Sequence, residues 1–311
     1  MTSALEESSG RTTLATETPV HVKAAGRNVA YSPLRYPGGK AALAGFFAEL
    51  ITRRGLTNAR YVEPYAGGVG AGIALLRQGI VEHLVVNDID PAVYCFWKAA
   101  TEHSEGLVDL VSTVPLTVEQ WRKQKEIYRA ADETNPLELG FAFFYLNRTN
   151  RSGILNAGPI GGVNQDGNYK IDARFNRAQL GERLAEIGRL SDRIEVSSID
   201  GRAVVECYAR EPDTFVYVDP PYVDMGGSLY LNAFTHRDHA DLAETLSGTG
   251  DSNWVLTYDV SDFIRRLYRE FDVREYELSY SARRTGKASE LLIASRPIAD
   301  LLGDVDAVRG A

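Results

Sequence analysis

The chain has 311 residues, of which 44% are hydrophobic and 24% are charged, as is typical of a globular protein. These proportions exclude a disordered or fibrous chain, and no apolar run is long enough to predict a transmembrane helix. The net charge of −8 argues against a nucleic-acid partner. Residues 141–180, however, contain five basic side chains and two acidic ones. A nucleic-acid partner therefore stays possible.

The N-terminal residues lack the basic and then apolar order of a signal peptide. The two cysteines, Cys95 and Cys207, lie in apolar stretches, and we expect both thiols to be buried. The chain has two cysteines and five histidines, and these residues lack the spacing typical of metal ligands. The sequence therefore predicts no metal site. We therefore expect a soluble, cytoplasmic protein without a membrane segment.

Ordered patterns begin after residues 1–29, a Thr-, Ser-, Ala- and Glu-rich segment that we predict to be a mobile tail. An apolar run at residues 60–64 predicts a strand, and a glycine-rich turn at residues 67–72 leads from it into a helix. A second strand is predicted at residues 83–86. Strand, glycine turn, helix and strand make a βαβ unit, which indicates a parallel sheet.

The βα pattern is interrupted over residues 100–189. Residues 121–131 and 137–146 predict helices, and the polar stretch 147–176 is too irregular for another βα unit. The pattern then resumes with four predicted strands, at residues 194–196, 215–218, 254–257 and 291–294. The simplest interpretation is one α/β domain, residues 30–99 and 190–311, that carries an inserted module.

The glycine-rich turn would let the backbone approach a ligand closely at a helix N-terminus. Asp88 lies twenty residues beyond Gly68, at the end of the next predicted strand, where a carboxylate can accept hydrogen bonds from ribose hydroxyls. The dinucleotide-binding pattern fails, because Ile73 stands where its third glycine would fall. The turn favours a compact nucleoside such as S-adenosylmethionine, and a tight turn that binds nothing is the alternative.

The strongest single feature is the sequence Asp219-Pro220-Pro221-Tyr222 after an apolar run. The prolines fix φ and remove backbone donors, which leaves the Asp219 carboxylate and the Pro220 carbonyl as acceptors for one site. Two acceptors would bind both protons of a planar exocyclic amine, and Tyr222 offers a face on which a base can stack. A proline-rich turn with a partly buried tyrosine is the structural alternative.

These motifs, in this order, resemble those of the Dam-like (D12 class) DNA adenine-N6 methyltransferases. The matching segments are residues 35–40, 62–68, 87–90, 144–148, 219–222, 234–239 and 288–292. The resemblance runs from Tyr31 to Arg296. It implies a Rossmann-like, class I S-adenosylmethionine-dependent methyltransferase sheet of mixed, mostly parallel strands. It also makes residues 100–189 an inserted, mainly helical target-recognition module.

The resemblance further implies roles for individual residues and partners for the chain. The catalytic residues would be Asp219, Pro220, Pro221 and Tyr222. The residues around S-adenosylmethionine would be Tyr36, Lys40, Glu63, Pro64, Ala66, Gly67 and Gly68, with Asp88 at the ribose and Asp200 near the adenine. The candidate DNA contacts are Arg35, Arg148, Arg151, Asn156, Lys170, Arg174, Arg283, Arg284 and Lys287. The implied partner is double-stranded DNA, a cognate restriction endonuclease is a candidate partner, and the implied state is a monomer.

Target specificity is expected to differ from that of the GATC methylases of this family. Those enzymes carry a basic base-reading residue where Asn156 stands in this chain. Arg or Lys suits guanine in the major groove, whereas Asn suits adenine. We therefore expect a recognition sequence other than GATC, read from a duplex whose target base is flipped into the pocket.

Four other activities fit parts of the pattern. An amino methyltransferase acting on cytosine N4 or on RNA would use the same pocket. A glutamine-modifying protein methyltransferase normally has Asn in place of Asp219, and a dinucleotide-dependent oxidoreductase is disfavoured by Ile73. A DNA-binding protein that has lost catalysis is disfavoured by the intact motif at residues 219–222.

Overall fold

The computed structural model describes residues 20–22, 31–35, 40–223, 234–278 and 288–303. Within these residues the chain forms one eight-stranded sheet. The strands are β1 (Val20–Val22), β2 (Arg60–Glu63), β3 (His83–Asn87), β4 (Ile194–Ser197), β5 (Thr214–Val218), β6 (Asn253–Asp259), β7 (Asp272–Leu278) and β8 (Ala288–Ala294).

Eleven α-helices lie in the described residues. They are α1 (Ala44–Arg54), α2 (Gly70–Arg77), α3 (Pro91–Glu102), α4 (Ser104–Thr113), α5 (Val118–Ala130), α6 (Pro136–Thr149), α7 (Arg177–Arg189), α8 (Gly201–Tyr208), α9 (His236–Ser247), α10 (Asp262–Leu267) and α11 (Arg296–Leu302). Short 3₁₀ turns occupy Lys40–Leu43, Arg151–Gly153 and Ser191–Arg193. No helix of this set is both long and apolar enough to span a membrane.

The strand order across the sheet is β1-β7-β8-β6-β5-β2-β3-β4. Strand β8 runs antiparallel to β6 and β7, and the other neighbouring pairs are parallel. This order confirms the Rossmann-like, class I methyltransferase sheet that the resemblance implies. The chain order reverses between β2 and β5, and ligands of open α/β sheets bind beyond the carboxyl ends of the strands at such a point.

Side chains of the central strands alternate between two faces, each covered by helices. Tyr61 and Phe215 belong to one apolar cluster, whereas their neighbours Val62 and Val216 belong to another. Because successive side chains of a strand point to opposite faces, the two clusters lie on opposite sides of the sheet. Burial on both faces explains why these strands are continuous apolar runs.

The helices of residues 100–189 pack against α3 and against one another, and they share the apolar cluster on one face of this sheet. Helix α6 lies along α3, where the rings of Phe96 and Phe144 stack with their centroids 5.8 Å apart. Leu107 of α4 and Leu184 of α7 are fully buried in the cluster that also contains Tyr61. The inserted segment therefore shares a core with the sheet, and its separate role in target recognition stays a prediction.

Two expectations from the sequence differ from the structure. Residues 20–22 of the predicted mobile tail form strand β1, which pairs in parallel with β7, and the rest of residues 1–29 lies outside the described residues. A run of three residues is too short to show periodicity, and an edge strand offers unpaired backbone groups to such a segment. Cys207 is exposed, whereas Cys95 is buried as expected. Helix α8 is amphipathic, and Cys207 lies on its outer side.

Candidate active site

Four neighbouring strands each end at an acidic residue along the carboxyl edge of the sheet. In spatial order these are Asp219 after β5, Glu63 at the end of β2, Asp88 after β3 and Asp200 beyond β4. Adjacent strands are about 4.8 Å apart, so the row of acids extends over roughly 15 Å. This length suits an extended ligand that lies across the strand ends.

The turn after β2 is held close to the end of β3. The Gly67 amide donates to the Asp88 carboxylate at 3.0 Å, and the indole nitrogen of Trp97 donates to the Gly67 carbonyl at 2.9 Å. Gly67 has a φ of +47°, which glycine adopts without strain. Val69 has the same φ, and a β-branched residue in that region is strained. The turn is therefore forced into its shape by its surroundings.

Glu63 lies under the N-terminus of α2. Its side chain is almost completely buried, and its carboxylate accepts a hydrogen bond of 3.3 Å from the Gly72 amide. Burial raises the pKa of Glu63 to about 8. The side chain therefore retains a proton near neutral pH unless a positive charge approaches it.

Asp88 accepts hydrogen bonds of 3.0 Å from the amides of Gly67 and Asp90, one on each carboxylate oxygen. Burial raises its pKa to about 6. A carboxylate has about four lone-pair sites, so roughly two remain to accept ribose hydroxyls. Ile89, the next residue in the chain, and Ile199, after the neighbouring strand β4, are exposed at 49% and 45%. Carboxylate acceptors next to exposed apolar side chains fit the nucleoside part of S-adenosylmethionine.

Asn87 joins three strand ends through its side-chain amide. The amide nitrogen donates to the carbonyls of Pro64 at 2.9 Å and Ile199 at 3.0 Å. The amide oxygen accepts from the Ser197 hydroxyl at 2.8 Å and the Ile199 amide at 2.9 Å. All four hydrogen-bonding positions of the side chain are therefore used to hold the turns after β2, β3 and β4 together.

Asp200 differs from the other three acids because a guanidinium is hydrogen-bonded to its carboxylate. It caps α8, and the Arg202 guanidinium lies 2.7 Å from its carboxylate. The hydrogen bond from Arg202 lowers the pKa of Asp200. The adjoining Gly201 packs so tightly on Tyr65 that a Cβ would lie 2.4 Å from the ring.

The Asp219 carboxylate lies at the switch point with one side open. It accepts a hydrogen bond of 2.8 Å from the Thr257 hydroxyl, and the Tyr222 hydroxyl is 3.4 Å away. Its side chain is 26% exposed. Burial raises the pKa of Asp219, and the positive charge of Lys40 at 3.8 Å opposes that rise. The group is thus a hydrogen-bond acceptor that a ligand can reach.

Aromatic rings pack together around the Tyr222 side chain, and the space between them and Asp219 is the candidate base pocket. The rings of Tyr65 and Phe234 meet edge to face at 5.6 Å, and those of Tyr222 and Tyr258 lie 6.5 Å apart. His239 shares a 2.8 Å hydrogen bond with the Tyr258 hydroxyl. Burial lowers the pKa of His239 to about 4, so its imidazole is neutral at physiological pH. The pocket therefore offers flat, uncharged surfaces beside the Asp219 carboxylate.

Lys40 lies beside the predicted catalytic residues Asp219 and Tyr222. Its ammonium donates to the Tyr222 hydroxyl and to the Glu290 carboxylate, each at 2.6 Å. No role was predicted for Glu290 from the sequence, although the residue stands in the resembling segment 288–292. The residue after Lys40, Ala41, packs against Gly70 at the start of α2. Lys40 therefore stands between the glycine-rich turn and the pocket, and its role toward the cofactor stays a prediction.

The candidate DNA contacts include a cluster of arginines. Arg148 is surrounded by Arg35, Arg174 and Arg183, and burial together with these positive charges lowers its pKa to about 10. Arg183 was not among the predicted contacts, because it lies on α7 beside an irregular segment and carries no motif. Four guanidinium groups in one place make a surface that attracts polyanions.

Arg148 also has a structural role, which its sequence position did not reveal. Its guanidinium donates to the Arg174 carbonyl at 2.9 Å and to the Pro33 carbonyl at 3.5 Å. The preceding Asn147 bonds both backbone groups of Arg35, at 2.7 and 2.8 Å. The predicted contacts with exposed side chains are Arg151, Asn156, Lys170 and Arg174.

Four of the predicted site residues lie outside the described residues: Tyr36, Arg283, Arg284 and Lys287. The predicted catalytic segment, Asp219 to Tyr222, and the predicted cofactor residues from Lys40 onward are all described. Within the described ranges, no group of three His, Cys, Asp or Glu side chains is arranged to hold a metal ion.

Comparison with solved structures finds the rRNA methyltransferase AviRa from Streptomyces viridochromogenes. That structure is 14% identical to this chain, with 85% of this chain and 88% of that chain covered, at a TM-score of 0.33. A TM-score this low supports no conclusion about fold or substrate.

Curated relatives in the sequence comparison are type II methyltransferases. M.MjaIII of Methanocaldococcus jannaschii is 22% identical, covering 78% of this chain and 89% of that relative. M.CviBI of Paramecium bursaria Chlorella virus NC1A is 25% identical, covering 79% and 90%. M1.LlaDCHI of Lactococcus lactis subsp. cremoris is 23% identical, covering 84% and 94%.

The profile of one family matches the chain from the glycine-rich motif before α1 to a point beyond β7. Its description is D12 class N6 adenine-specific DNA methyltransferase, and the match covers residues 36–282, more than three quarters of the chain. The match includes the row of acids, the Asp219–Tyr222 segment and the inserted helices. The chain therefore belongs to the D12 class of N6 adenine-specific DNA methyltransferases.

Proposed function

We propose that this methyltransferase transfers a methyl group from S-adenosylmethionine to N6 of an adenine flipped out of duplex DNA, with the segment Asp219–Tyr222 as the amine-binding site. The observation that carries this proposal is the placement of the Asp219 carboxylate. It stands at the switch point of the sheet, is oriented by Thr257 and has the Tyr222 side chain beside it. Family membership gives the reaction, and this geometry supports the residue roles.

The row of acids supports a cofactor that lies across the strand ends. S-adenosylmethionine, when bound, supplies the electrophilic methyl group. Glu63 would hold the positively charged methionine end, Asp88 the ribose hydroxyls, and Ile89 and Ile199 the faces of the adenine. The glycine-rich segment Pro64, Ala66, Gly67 and Gly68 would lie under the methionine part. Asp200 would serve from the edge of the adenine site, because Arg202 already occupies its carboxylate.

The pocket residues would bind the target amine by its two protons. The Asp219 carboxylate and the Pro220 carbonyl would accept one N6 proton each, which aims the nitrogen lone pair at the methyl group. Tyr222 and Phe234 would stack on the flipped base. The nitrogen becomes acidic once it is alkylated, so Asp219 need not remove a proton beforehand. The rate would come mainly from positioning and from a negative charge next to the nitrogen.

The inserted helices and the loop between α6 and α7 would contact the DNA. The cluster formed by Arg35, Arg148, Arg174 and Arg183 would lie against backbone phosphates. Arg151, Asn156 and Lys170 would extend this surface toward the bases. The same loop exposes Val163 and Tyr169, at 55% and 60%, and apolar side chains on a basic surface suit contacts with bases. Residues 100–189 would then form the target-recognition module of the catalytic domain.

The DNA substrate supports action in the cytoplasm, where chromosomal, plasmid or phage DNA is accessible. The relatives that carry type II methyltransferase names support a cognate restriction endonuclease as a partner of this chain. A monomer is the proposed state, because one chain contains every residue placed in the site.

Substitution of Asp219 tests the proposed amine-binding site. In Asp219→Ala, turnover should fall on the order of a hundredfold or more, because one of two acceptors that act in the transition state is removed. The affinity for S-adenosylmethionine should stay unchanged, because Asp219 lies beyond the proposed cofactor residues. Asp109→Ala, an exposed acid on α4, serves as the control. An Asp219→Ala protein that methylates duplex DNA at the normal rate would contradict the assignment.

A further inference from the structure

A buried ion pair between Lys40 and Glu290 contacts the hydroxyl of Tyr222. The Lys40 ammonium and the Glu290 carboxylate are 2.6 Å apart, and their side chains are only 5% and 9% exposed. Glu290 lies on β8, opposite Tyr276 of β7, and the Tyr276 hydroxyl donates to the carboxylate oxygen that binds Lys40. Strands β7 and β8 therefore hold the Glu290 carboxylate in a fixed place.

The Lys40 ammonium connects this carboxylate to the catalytic segment. It donates to the Tyr222 hydroxyl at 2.6 Å and lies 5.3 Å from the centre of the Tyr222 ring. The same nitrogen is 3.8 Å from the Asp219 carboxylate, too far for a hydrogen bond. Lys40 thus has two negatively charged neighbours, and it is hydrogen-bonded to Glu290 rather than to Asp219.

The Glu290 and Asp219 carboxylates compete for the Lys40 ammonium. The carboxylate that does not bind the ammonium stays free to accept hydrogen bonds from a substrate. A lysine side chain is long and flexible, and its ammonium is a compact charge that moves toward the strongest acceptor. Without the Glu290 charge, the ammonium would close the gap to Asp219. It would then occupy lone pairs that an incoming amine needs, and it would release the Tyr222 hydroxyl.

We propose that Glu290 is a positioning residue for methyl transfer: through Lys40 it fixes the Tyr222 hydroxyl and keeps the Asp219 carboxylate open for the target amine. The inference rests on the proposed role of Asp219 and Tyr222 in binding that amine. The Lys40 ammonium bridges Glu290 to the catalytic segment, so the effect of Glu290 passes through that ammonium.

The test is the Glu290→Gln variant, which keeps the shape of the side chain and removes its charge. Turnover should fall on the order of tenfold or more, because a small displacement of reacting groups has large effects on rate. The dissociation constant for S-adenosylmethionine should stay that of the wild type, which also shows that the variant is folded. Glu211→Gln is the matched control, because Glu211 is an exposed acid paired with Arg60 at the opposite edge of the sheet. This control should keep wild-type turnover.

Coupling to Lys40 separates positioning from a general structural role. In a Lys40→Met background, Glu290→Gln should cause no further loss of turnover, because the proposed effect of Glu290 on the catalytic segment passes through the Lys40 ammonium. Three outcomes would overturn the proposal: wild-type turnover in Glu290→Gln, an equal loss of cofactor binding and turnover, or a loss that simply adds to that of Lys40→Met.

A measurement without substrate keeps this inference distinct from the proposed function. Nuclear magnetic resonance of the Lys40 ammonium and the Tyr222 ring should show both signals shifted in Glu290→Gln and unshifted in Glu211→Gln. Unshifted signals in Glu290→Gln would overturn the inference. A wild-type protein that transfers no methyl group to adenine would contradict the proposed function, and the resonance shifts would still decide the inference about Glu290.

Discussion

At the scale of single residues, the four acids along the carboxyl edge differ in pKa because their surroundings differ. Burial raises the pKa of Glu63 to about 8 and that of Asp88 to about 6, whereas the Arg202 guanidinium lowers the pKa of Asp200. Burial also raises the pKa of Asp219, with Lys40 opposing it. Burying these acids at the strand ends lowers the stability of the free protein. A ligand with hydrogen-bond donors or a positive charge at these positions would offset that loss.

The Glu63 carboxyl should make the stability of the free protein depend on pH. Its folded pKa of about 8 lies above the ordinary value of 4.5, so the native state holds a proton that the unfolded state releases. Stability should therefore fall as pH rises from 4.5 toward 8. Glu63→Gln removes this effect, so between these pH values the wild-type melting temperature should fall by about 5 °C more than that of the variant.

Glu63→Gln should weaken the binding of S-adenosylmethionine, although it removes the loss of stability that Glu63 causes as the pH rises. A neutral amide still accepts the Gly72 amide proton but no longer attracts a positively charged methionine end, so binding of S-adenosylmethionine should weaken. Calorimetric titration would measure this change beside the melting curves. If the melting temperatures of the wild type and Glu63→Gln fall in parallel as the pH rises, Glu63 is ionised in the folded state and the predicted pH dependence is wrong.

Candidate site residues could be selected from the sequence where the chemistry lies in neighbouring positions. Asp219 and Asp88 were selected as candidates because they follow predicted strands at turns, and their roles stay predictions. Glu290 was not assigned a role, because its contact with Lys40 joins positions 250 residues apart. The structural task of Arg148 was hidden for the same reason, since its partners are backbone carbonyls of distant segments.

At the scale of elements, the close packing of α6 on α3 depends on Gly140. A Cβ at this position would lie 2.6 Å from the Cys95 carbonyl oxygen and 2.7 Å from the Phe96 Cα. Both are backbone atoms of α3, so neither can rotate away. The inserted helices are thereby attached to the helix that follows the Asp88 strand.

Gly140→Ala should destabilise the protein by about 2 kcal/mol, within the range typical of overpacked cores. Gly181→Ala is the matched control on α7, where a Cβ would meet its nearest neighbour, Val108, at an ordinary 3.7 Å. The control should be neutral or more stable by about 0.5–1 kcal/mol, because alanine favours helix more than glycine does. Urea unfolding measures both changes, and equal effects of the two substitutions would refute this explanation of the helix packing.

Six strands, β2, β3, β4, β5, β6 and β8, were predicted from short apolar or alternating segments. The helices α5 and α6 were predicted as well, although α5 is mostly polar and buries only Trp121 and Gln124. Strand β7 was missed because its sequence, Asp-Val-Arg-Glu-Tyr-Glu-Leu, carries charges at four of its seven positions. Helix α7 was also missed, although Leu180, Leu184 and Ile187 have helical spacing, because it follows the irregular segment directly.

At the scale of the whole molecule, the negative net charge and the DNA substrate are reconciled by a local excess of positive charge. The total is −8, yet four arginines converge where α6, α7 and the segment before Lys40 meet. Nucleic-acid binding depends on the field at the contact surface rather than on the sum over the chain. The total charge was therefore a poor guide to the partner.

Arg174→Gln should make DNA binding less sensitive to salt. For each phosphate that the variant no longer neutralises, the slope of log K against log salt should decrease by about 0.9. Arg174 suits this test because Arg148 bonds its backbone carbonyl, which the substitution leaves in place. Arg269→Gln changes an exposed arginine in the turn before β7, at the opposite edge of the sheet, and should keep the wild-type slope. Equal slopes for all three proteins would remove Arg174 from the DNA interface.

The central claim is the transfer of a methyl group to N6 of adenine at a defined site in duplex DNA. The most direct measurement is incubation of unmethylated plasmid with labelled S-adenosylmethionine, followed by nucleoside analysis and sequencing of the modified positions. We predict N6-methyladenine at one short motif other than GATC, and none with Asp219→Ala. Label on cytosine, or no label in duplex DNA from a protein that binds the cofactor, would contradict the claim.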